Sequence, residues 1–330
     1  MNRRVLPFLL AAALALACSP PNVSSVDAGP SADQACADSA YARCSRVQAC
    51  SPTATQQRYG DESTCEAIFK AYCVATLAAS GAGSTPASTE ACAQAIPNWA
   101  CADYLQTQNP PPECVQSTGS FTIGAACAFS AQCQSGYCAI VPGAPCGTCA
   151  AAPQPGDSCA QVTSCGQTLM CNSQTSRCYV PAQPMASCIP GQDCILGAEC
   201  VGANSTSGTP GVCQPAVESL GAACSSTTAL CDGFSGLVCN TQSDKCVAEQ
   251  LASSGQPCGF VSSQNVVVQC GGGGKCVTSG GQSTCLSVSE IGGPCDLVAG
   301  PVCISPSRCI GGSDGGTSGM CQIPDGTACH

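Results

Sequence analysis

The stretch Leu220–Val247, LGAACSSTTALCDGFSGLVCNTQSDKCV, decides how the rest of the chain is read. A glycine stands three residues before a cysteine, two more cysteines follow at short intervals, and a fourth closes a loop. The same opener recurs as GAAC at Gly124–Cys127, GDSC at Gly156–Cys159, GQPC at Gly255–Cys258, GGPC at Gly292–Cys295 and GTAC at Gly326–Cys329. Met185-Ala186-Ser187-Cys188 fills the one gap, with methionine where the others have glycine. The opening cysteines lie 29 to 37 residues apart, a period that marks an array of small units.

Each opener leads a set. Cys159 is followed by Cys165, Cys171 and Cys178; Cys188 by Cys194, Cys200 and Cys213; and Cys224 by Cys231, Cys239 and Cys246. Cys258 leads Cys270, Cys276 and Cys285, and Cys295 leads Cys303, Cys309 and Cys321. The first set has five members, Cys127, Cys133, Cys138, Cys146 and Cys149, while the seventh stops at Cys329-His330. Short alternating strands flank a polar turn around the last two cysteines, as in Leu237-Val238-Cys239 and Lys245-Cys246-Val247, and predict a β-hairpin in each unit. The loop between those cysteines holds 6, 12, 6, 8 and 11 residues in the second to sixth units, as surface loops do.

Thirty-five cysteines in 330 residues, with only 4% aromatic residues, describe a disulfide scaffold with thin cores. Such units are stabilised by cross-links that restrict the unfolded chain, about 2–4 kcal/mol per bridge. The net charge of −10 disfavours nucleic acid and anionic membrane surfaces, which require a basic footprint.

The chain opens on Asn2-Arg3-Arg4 and the apolar run Val5–Ala17, an export signal over residues 1–17 that is too short to span a bilayer. Its end, Leu14-Ala15-Leu16-Ala17-Cys18, resembles a bacterial lipobox, although Ala15 and Leu16 depart from the commonest form. Lipidation of Cys18 leaves 34 cysteines, an even number that can pair fully; ordinary cleavage after Ala17 leaves an odd thiol. The expectation is a lipid anchor at Cys18, followed by a flexible tether over residues 18–34.

Residues 35–118 have a different rhythm. Cys36 and Cys44 are eight apart, as are Cys65 and Cys73, and Cys92 and Cys101 are nine apart, with Cys114 beyond. Ala32–Cys50 lacks Gly and Pro and reads as helix. Asp61–Ser80 has a capping aspartate and an apolar stripe of Ile68, Phe69, Tyr72, Cys73 and Leu77, and Thr85-Pro86 opens a third helix. Cysteines eight apart on a helix lie about 12 Å along the axis and roughly 80° around it, so two such pairs clamp antiparallel helices with two bridges. Trp99 and Tyr104 read as the core of this small domain rather than as a ligand pocket.

The expected fold class is therefore a disulfide-rich array of small domains. A short α-helical, cysteine-stapled head is followed over residues 119–330 by irregular β-hairpin repeats, six units plus the start of a seventh.

Cys127-x5-Cys133-x4-Cys138, with Tyr137 before the third cysteine, then Cys146-x2-Cys149, Cys159-x5-Cys165 and Cys171-x6-Cys178, resembles the Dickkopf N-terminal cysteine-rich domain. That family has adjacent cysteines where this chain has Cys165-Gly166, so at least one bridge must differ. Dickkopf proteins are secreted antagonists of Wnt signalling; beside a lipobox-like signal, the resemblance implies the scaffold alone. The layout as a whole also resembles cysteine-rich predicted lipoproteins of Gram-negative bacteria.

Catalytic options are few. His330 is the only histidine and the last residue, which excludes Ser-His and Cys-His machinery within the sequence. No paired carboxylates stand out, and Gly271–Gly274 lacks the Lys-Ser/Thr of a phosphate loop and reads as a flexible turn. Among the cysteines only Cys146/Cys149 has zinc-knuckle spacing, and Ser313-Asp314-Gly315-Gly316 resembles a calcium turn only faintly; neither a metal nor a cofactor is expected. The expected function is that of an envelope-anchored lipoprotein acting as a structural or binding module, not an enzyme. Its expected place is the outer membrane or cell surface, with secretion as the alternative. It would face an extracellular or envelope protein or glycan and touch the membrane only through its lipid. The competing reading is an exported enzyme or thiol-disulfide redox protein.

Two cysteines remain over when units two to six close locally: one among Cys127–Cys149, and Cys329. On an extended string of units these two ends lie far apart. Cys329 is therefore expected to cap the sixth unit by displacing a partner there, with bridges shared between neighbours.

Overall fold

The computed structural model describes residues 29–115, 117–160, 164–166, 169–172, 175–190, 192, 194–195, 197–204, 206–225, 227, 230–261, 266–311 and 316–329. The signal, Cys18, most of the tether, Ser313–Gly315 and His330 lie outside these residues.

The head is helical. α1 spans Ala32–Cys50, α2 Pro52–Tyr59, α3 Glu62–Ala78, α4 Pro86–Ala95 and α5 Cys101–Leu105. α1 begins within the segment read as tether, and Asp33 there pairs with Lys70 of α3 at 3.0 Å. Side chains cap the starts: Ser31 accepts from the Gln34 N–H, Asp61 from Thr64, and Thr85 forms a reciprocal box with Ser88. α2 was not foreseen. Ser51 caps it and Pro52 is its first residue, the same start signal as Thr85-Pro86. Cys36–Cys73 and Cys44–Cys65 clamp α1 to α3. Cys50, which no spacing argument had paired, ties the end of α1 to Cys101, and Cys92 joins Cys114. Trp99 and Tyr104 meet edge to face at 5.2 Å within a buried cluster of Ala42, Val47, Ala93 and Ile96. They are core: the indole N–H donates to the Gln108 carbonyl, and the Tyr104 hydroxyl to that of Arg43.

After residue 119 the described chain has only single-turn helices and short strands. Every cysteine from Cys36 to Cys329 is bridged. Units two to six share one pairing, first to third and second to fourth: Cys224–Cys239 with Cys231–Cys246, for example, and Cys295–Cys309 with Cys303–Cys321. The third and fourth cysteines sit directly opposite one another on the hairpin, as Cys239 opposite Cys246 and Cys309 opposite Cys321. Opposed residues project from one face. Each of the two reaches back to a cysteine of the preceding segment, so that segment is stapled flat against the hairpin. The core of a unit is little more than these sulfurs, with Leu237 and Val217 beside them in the fourth.

The opener has a backbone reason. In Ser219–Ala222 the Ala222 N–H donates to the Ser219 carbonyl at 3.1 Å, and Gly221 has φ +78°, a type II turn whose third residue favours glycine. The Gly221 N–H then donates to the Cys246 carbonyl at 2.7 Å, and the Cys246 N–H returns to Ala222 at 2.8 Å. The same pair of bonds locks Gly124 and Ala125 to Cys149, Gly156 and Asp157 to Cys178, Gly255 and Gln256 to Cys285, and Gly292 and Gly293 to Cys321. Met185 and Ala186 do the same to Cys213, so the methionine adopts the glycine conformation at φ +65°. Between units the linker pairs in parallel with the second cysteine, as at Ala182 with Cys194 and Val217 with Cys231.

The expectation for Cys329 is overturned. It bridges Cys146, the supernumerary cysteine of the first unit, at a Cα separation of 5.6 Å, and the sixth unit closes on its own four cysteines. No bridge is shared between neighbours among units two to six. The extended string is corrected for the same reason: the array winds around the head, and its end meets its start.

Contacts along the way are specific. Gln106 donates to the Cys194 carbonyl, Ser51 to that of Phe234, and the Gly272 and Gly273 N–H groups to Gln56 and Gln57 at the C-terminal end of α2, at 2.8 and 2.7 Å. The glycine run is thus a docking turn that satisfies helix-end carbonyls, not a loose one. At the closing seam Arg308 of the sixth unit donates to the Ala128 carbonyl at 2.9 Å, and Tyr72, Ala79, Phe129, Ile323 and Cys329 pack together.

Candidate functional site

Where the first unit meets the head, a cavity of about 410 Å³ remains. α1 contributes Ser39 and Arg43, one turn apart on the same helix face. α3 contributes Phe69, Tyr72, Thr76 and Leu77; Ser88 and Thr89 come from α4; Phe129 and Ser130 come from the first unit. The apolar stripe foreseen on α3 is divided: Ile68 is buried, whereas Phe69, Tyr72 and Leu77 are half-buried because they face this space.

Arg43 is the one cation of the lining, and Glu113, on an exposed turn, the one anion. Arg43 is half-buried, and among the described residues no carboxylate lies within ion-pair distance of it. Arg46, three residues on, is committed differently, since its guanidinium donates to the Trp99 carbonyl. Burial raises the phenols of Tyr59, Tyr72 and Tyr104, and the Arg43 charge opposes the rise at all three. The guanidinium thus projects an uncompensated positive field into the junction. Nothing in the sequence singled it out, because Arg43 and Arg46 look alike on paper; only the packing of the array against the head places Arg43 at the junction, whereas Arg46 lines a separate recess of the head beside Ala93 and Pro97.

The sequence-derived residues are distributed otherwise. Cys146 and Cys149, with their zinc-knuckle spacing, sit in different bridges, to Cys329 and to Cys133. Sulfurs do crowd, and those of Cys159, Cys165 and Cys178 lie within 4.8 Å of one another, as in four or more other units. That crowding follows from two adjacent bridges per unit, and oxidised sulfur offers no thiolate charge to a metal ion. Cys18 lies outside the described residues, and no described helix is long and apolar enough to cross a membrane. The variable loops sit at the tips of the hairpins: Gly280-Gly281 turns the fifth, and a side-chain-bonded turn at Asn240–Ser243 caps the fourth.

No family model, no curated protein and no solved structure matches this chain. The disulfides themselves point to an oxidising, extracellular or envelope compartment and to a disulfide-stabilised module.

Proposed function

We propose that the chain is an envelope lipoprotein, held by a lipid on Cys18, that serves as a binding or structural module. The observation that carries this reading is the uniform pair of bridges in units two to six, set against hairpin loops of 6 to 12 residues. A frame repeated without variation, bearing tips that differ in length and composition, suits recognition of an extracellular protein or glycan. The framework resembling the Dickkopf N-terminal domain enters as scaffold only.

Two experiments test it. Replacement of Cys18→Ser should move the protein from the membrane fraction to the soluble one, and unchanged membrane association removes the anchor. For recognition, a photo-cross-linker at Thr206 or Ser207, on the longest loop, should trap a discrete envelope partner on intact cells. One at Tyr41 on the head should not. Equal labelling from both positions counts against loop-borne binding.

A further inference from the structure

We infer that the junction cavity is a binding site for a small organic anion with an aromatic or aliphatic body, its anionic group held by Arg43. This goes beyond loop-borne recognition and does not depend on it. Three observations carry it.

The first is size and rigidity. The cavity's about 410 Å³ falls in the range of small-molecule sites, and its walls come from rigid pieces: α1, α3 and α4, fixed by Cys36–Cys73 and Cys92–Cys114, and the bridged first unit. The second is the lining. Phe69, Tyr72, Phe129 and Leu77 supply apolar surface, with Tyr72 and Phe129 held edge to face at 5.3 Å. Hydroxyls from Ser39 and Thr89 supply a few polar contacts, that of Ser88 being held in its cap with Thr85. The third is charge. A half-buried guanidinium without a carboxylate partner among the described residues offers forked donors to a carboxylate or sulfonate. Among the described residues only Lys70 has a carboxylate within ion-pair distance, so what sets Arg43 apart is its half-buried place in the junction wall. Glu113 lies on the exposed turn and disfavours a second anionic group at that position.

The test uses the full oxidised protein and two probes with one body: 1-anilinonaphthalene-8-sulfonate, and N-phenyl-1-naphthylamine, which lacks the sulfonate. The sulfonate probe should bind saturably at one site, seen as fluorescence enhancement, and octanoate should displace it. Arg43→Gln should weaken the sulfonate probe by about tenfold or more while changing the neutral probe less than about threefold. Arg43→Lys keeps charge without the planar fork and should fall between, and Lys275→Gln, in the fifth unit, should match the parent protein. Circular dichroism of each variant checks the helices. Should Arg43→Gln fail to fold, the graded loss in Arg43→Lys and weakening of the sulfonate probe alone by salt carry the test. Absence of saturable binding, an unchanged affinity in Arg43→Gln, or equal losses for both probes overturns the proposal.

Discussion

Cys146 and Cys329 stand 183 residues apart in sequence and are joined by a disulfide, so the last described residue of the array is fastened to its first unit. Among the described residues it is the only bridge that spans units, and the loop it closes contains the second to sixth units. Removing both partners together, Cys146→Ser with Cys329→Ser, leaves no free thiol. It is expected to lower stability by about 2–4 kcal/mol, measured as a shift in denaturant midpoint. Proteolysis of the oxidised double variant should begin at the C-terminal segment. Non-reducing peptide mapping of the parent should recover one peptide joining the two cysteines, and a map placing Cys329 within the sixth unit would contradict the closure.

Met185 holds the conformation that glycine holds in five of the other openers, with φ +65°, and is 72% exposed. An L-residue there is strained by about 1–2 kcal/mol, and little packing offsets it. Met185→Gly should therefore stabilise the protein by about 1 kcal/mol, the added entropy of the unfolded glycine reducing the gain. The reverse substitution, Gly221→Ala, should cost about 1 kcal/mol from backbone strain alone, since a Cβ at that position meets nothing within 4 Å. Thermal midpoints decide both, and a destabilised Met185→Gly would mean the side chain has a role its exposure hides.

How far the sequence revealed the fold depends on the range of the interaction. Cysteines eight apart on helical segments, the positive-φ glycine three residues before five of the opening cysteines, and Thr85-Pro86 are local signals, and each corresponds to an observed feature. α2 carries the same start signal in Ser51-Pro52, but its eight residues are too few for an apolar period to show. Closure was not legible. Cysteine counting isolates Cys329 and one member of Cys127–Cys149, but whether those ends meet depends on distant pairs such as Gly272 with Gln56, which leave no periodic trace. The cavity shares that origin: its walls come from segments far apart in the chain, and Arg43 acquires its setting only when they assemble.

Burial pushes the Tyr104 phenol up to about 12, with the Arg43 charge working against the shift. The unfolded phenol ionises near 10, so below that pH both states keep the proton and the full contribution is present. Between about 10 and about 12 the unfolded state binds fewer protons, and stability falls as pH rises, by an amount on the order of 2–3 kcal/mol once the folded phenol also ionises. Denaturant midpoints across that window should drop, and Tyr104→Phe should flatten the drop even though it loses the bond to the Arg43 carbonyl. Identical alkaline profiles for the two proteins would show that another group governs the loss.

Gln132 is fully buried, and its amide joins three separate parts of the chain. Its carbonyl oxygen accepts from the Ala128 and Phe129 N–H groups at 2.8 and 3.0 Å, shaping the turn that places Phe129 in the cavity wall. Its amide nitrogen donates to the Ser80 carbonyl beyond α3 at 2.8 Å and to the Gly326 carbonyl near the C-terminus at 3.2 Å. Head, first unit and chain end thus meet on one side chain, in a place where water cannot substitute. Gln132→Leu keeps most of the volume but strands two N–H groups and two carbonyls, each costing about 1–3 kcal/mol where it stays dry. Relaxation recovers part of that, and a net loss of about 3 kcal/mol is expected. Gln132→Glu separates shape from chemistry. It still accepts from Ala128 and Phe129, but held protonated by burial against two carbonyls it has one donor for Ser80 and Gly326 where the amide has two, so it should retain the local turn while loosening the seam. The readout is amide hydrogen exchange: faster exchange at Gly83 and Ser120, which bond across the same junction, with slow exchange kept in the fourth unit at Cys246. Uniform acceleration through all units would show that the protein opens as one body, and no acceleration at Gly83 would remove Gln132 from the seam.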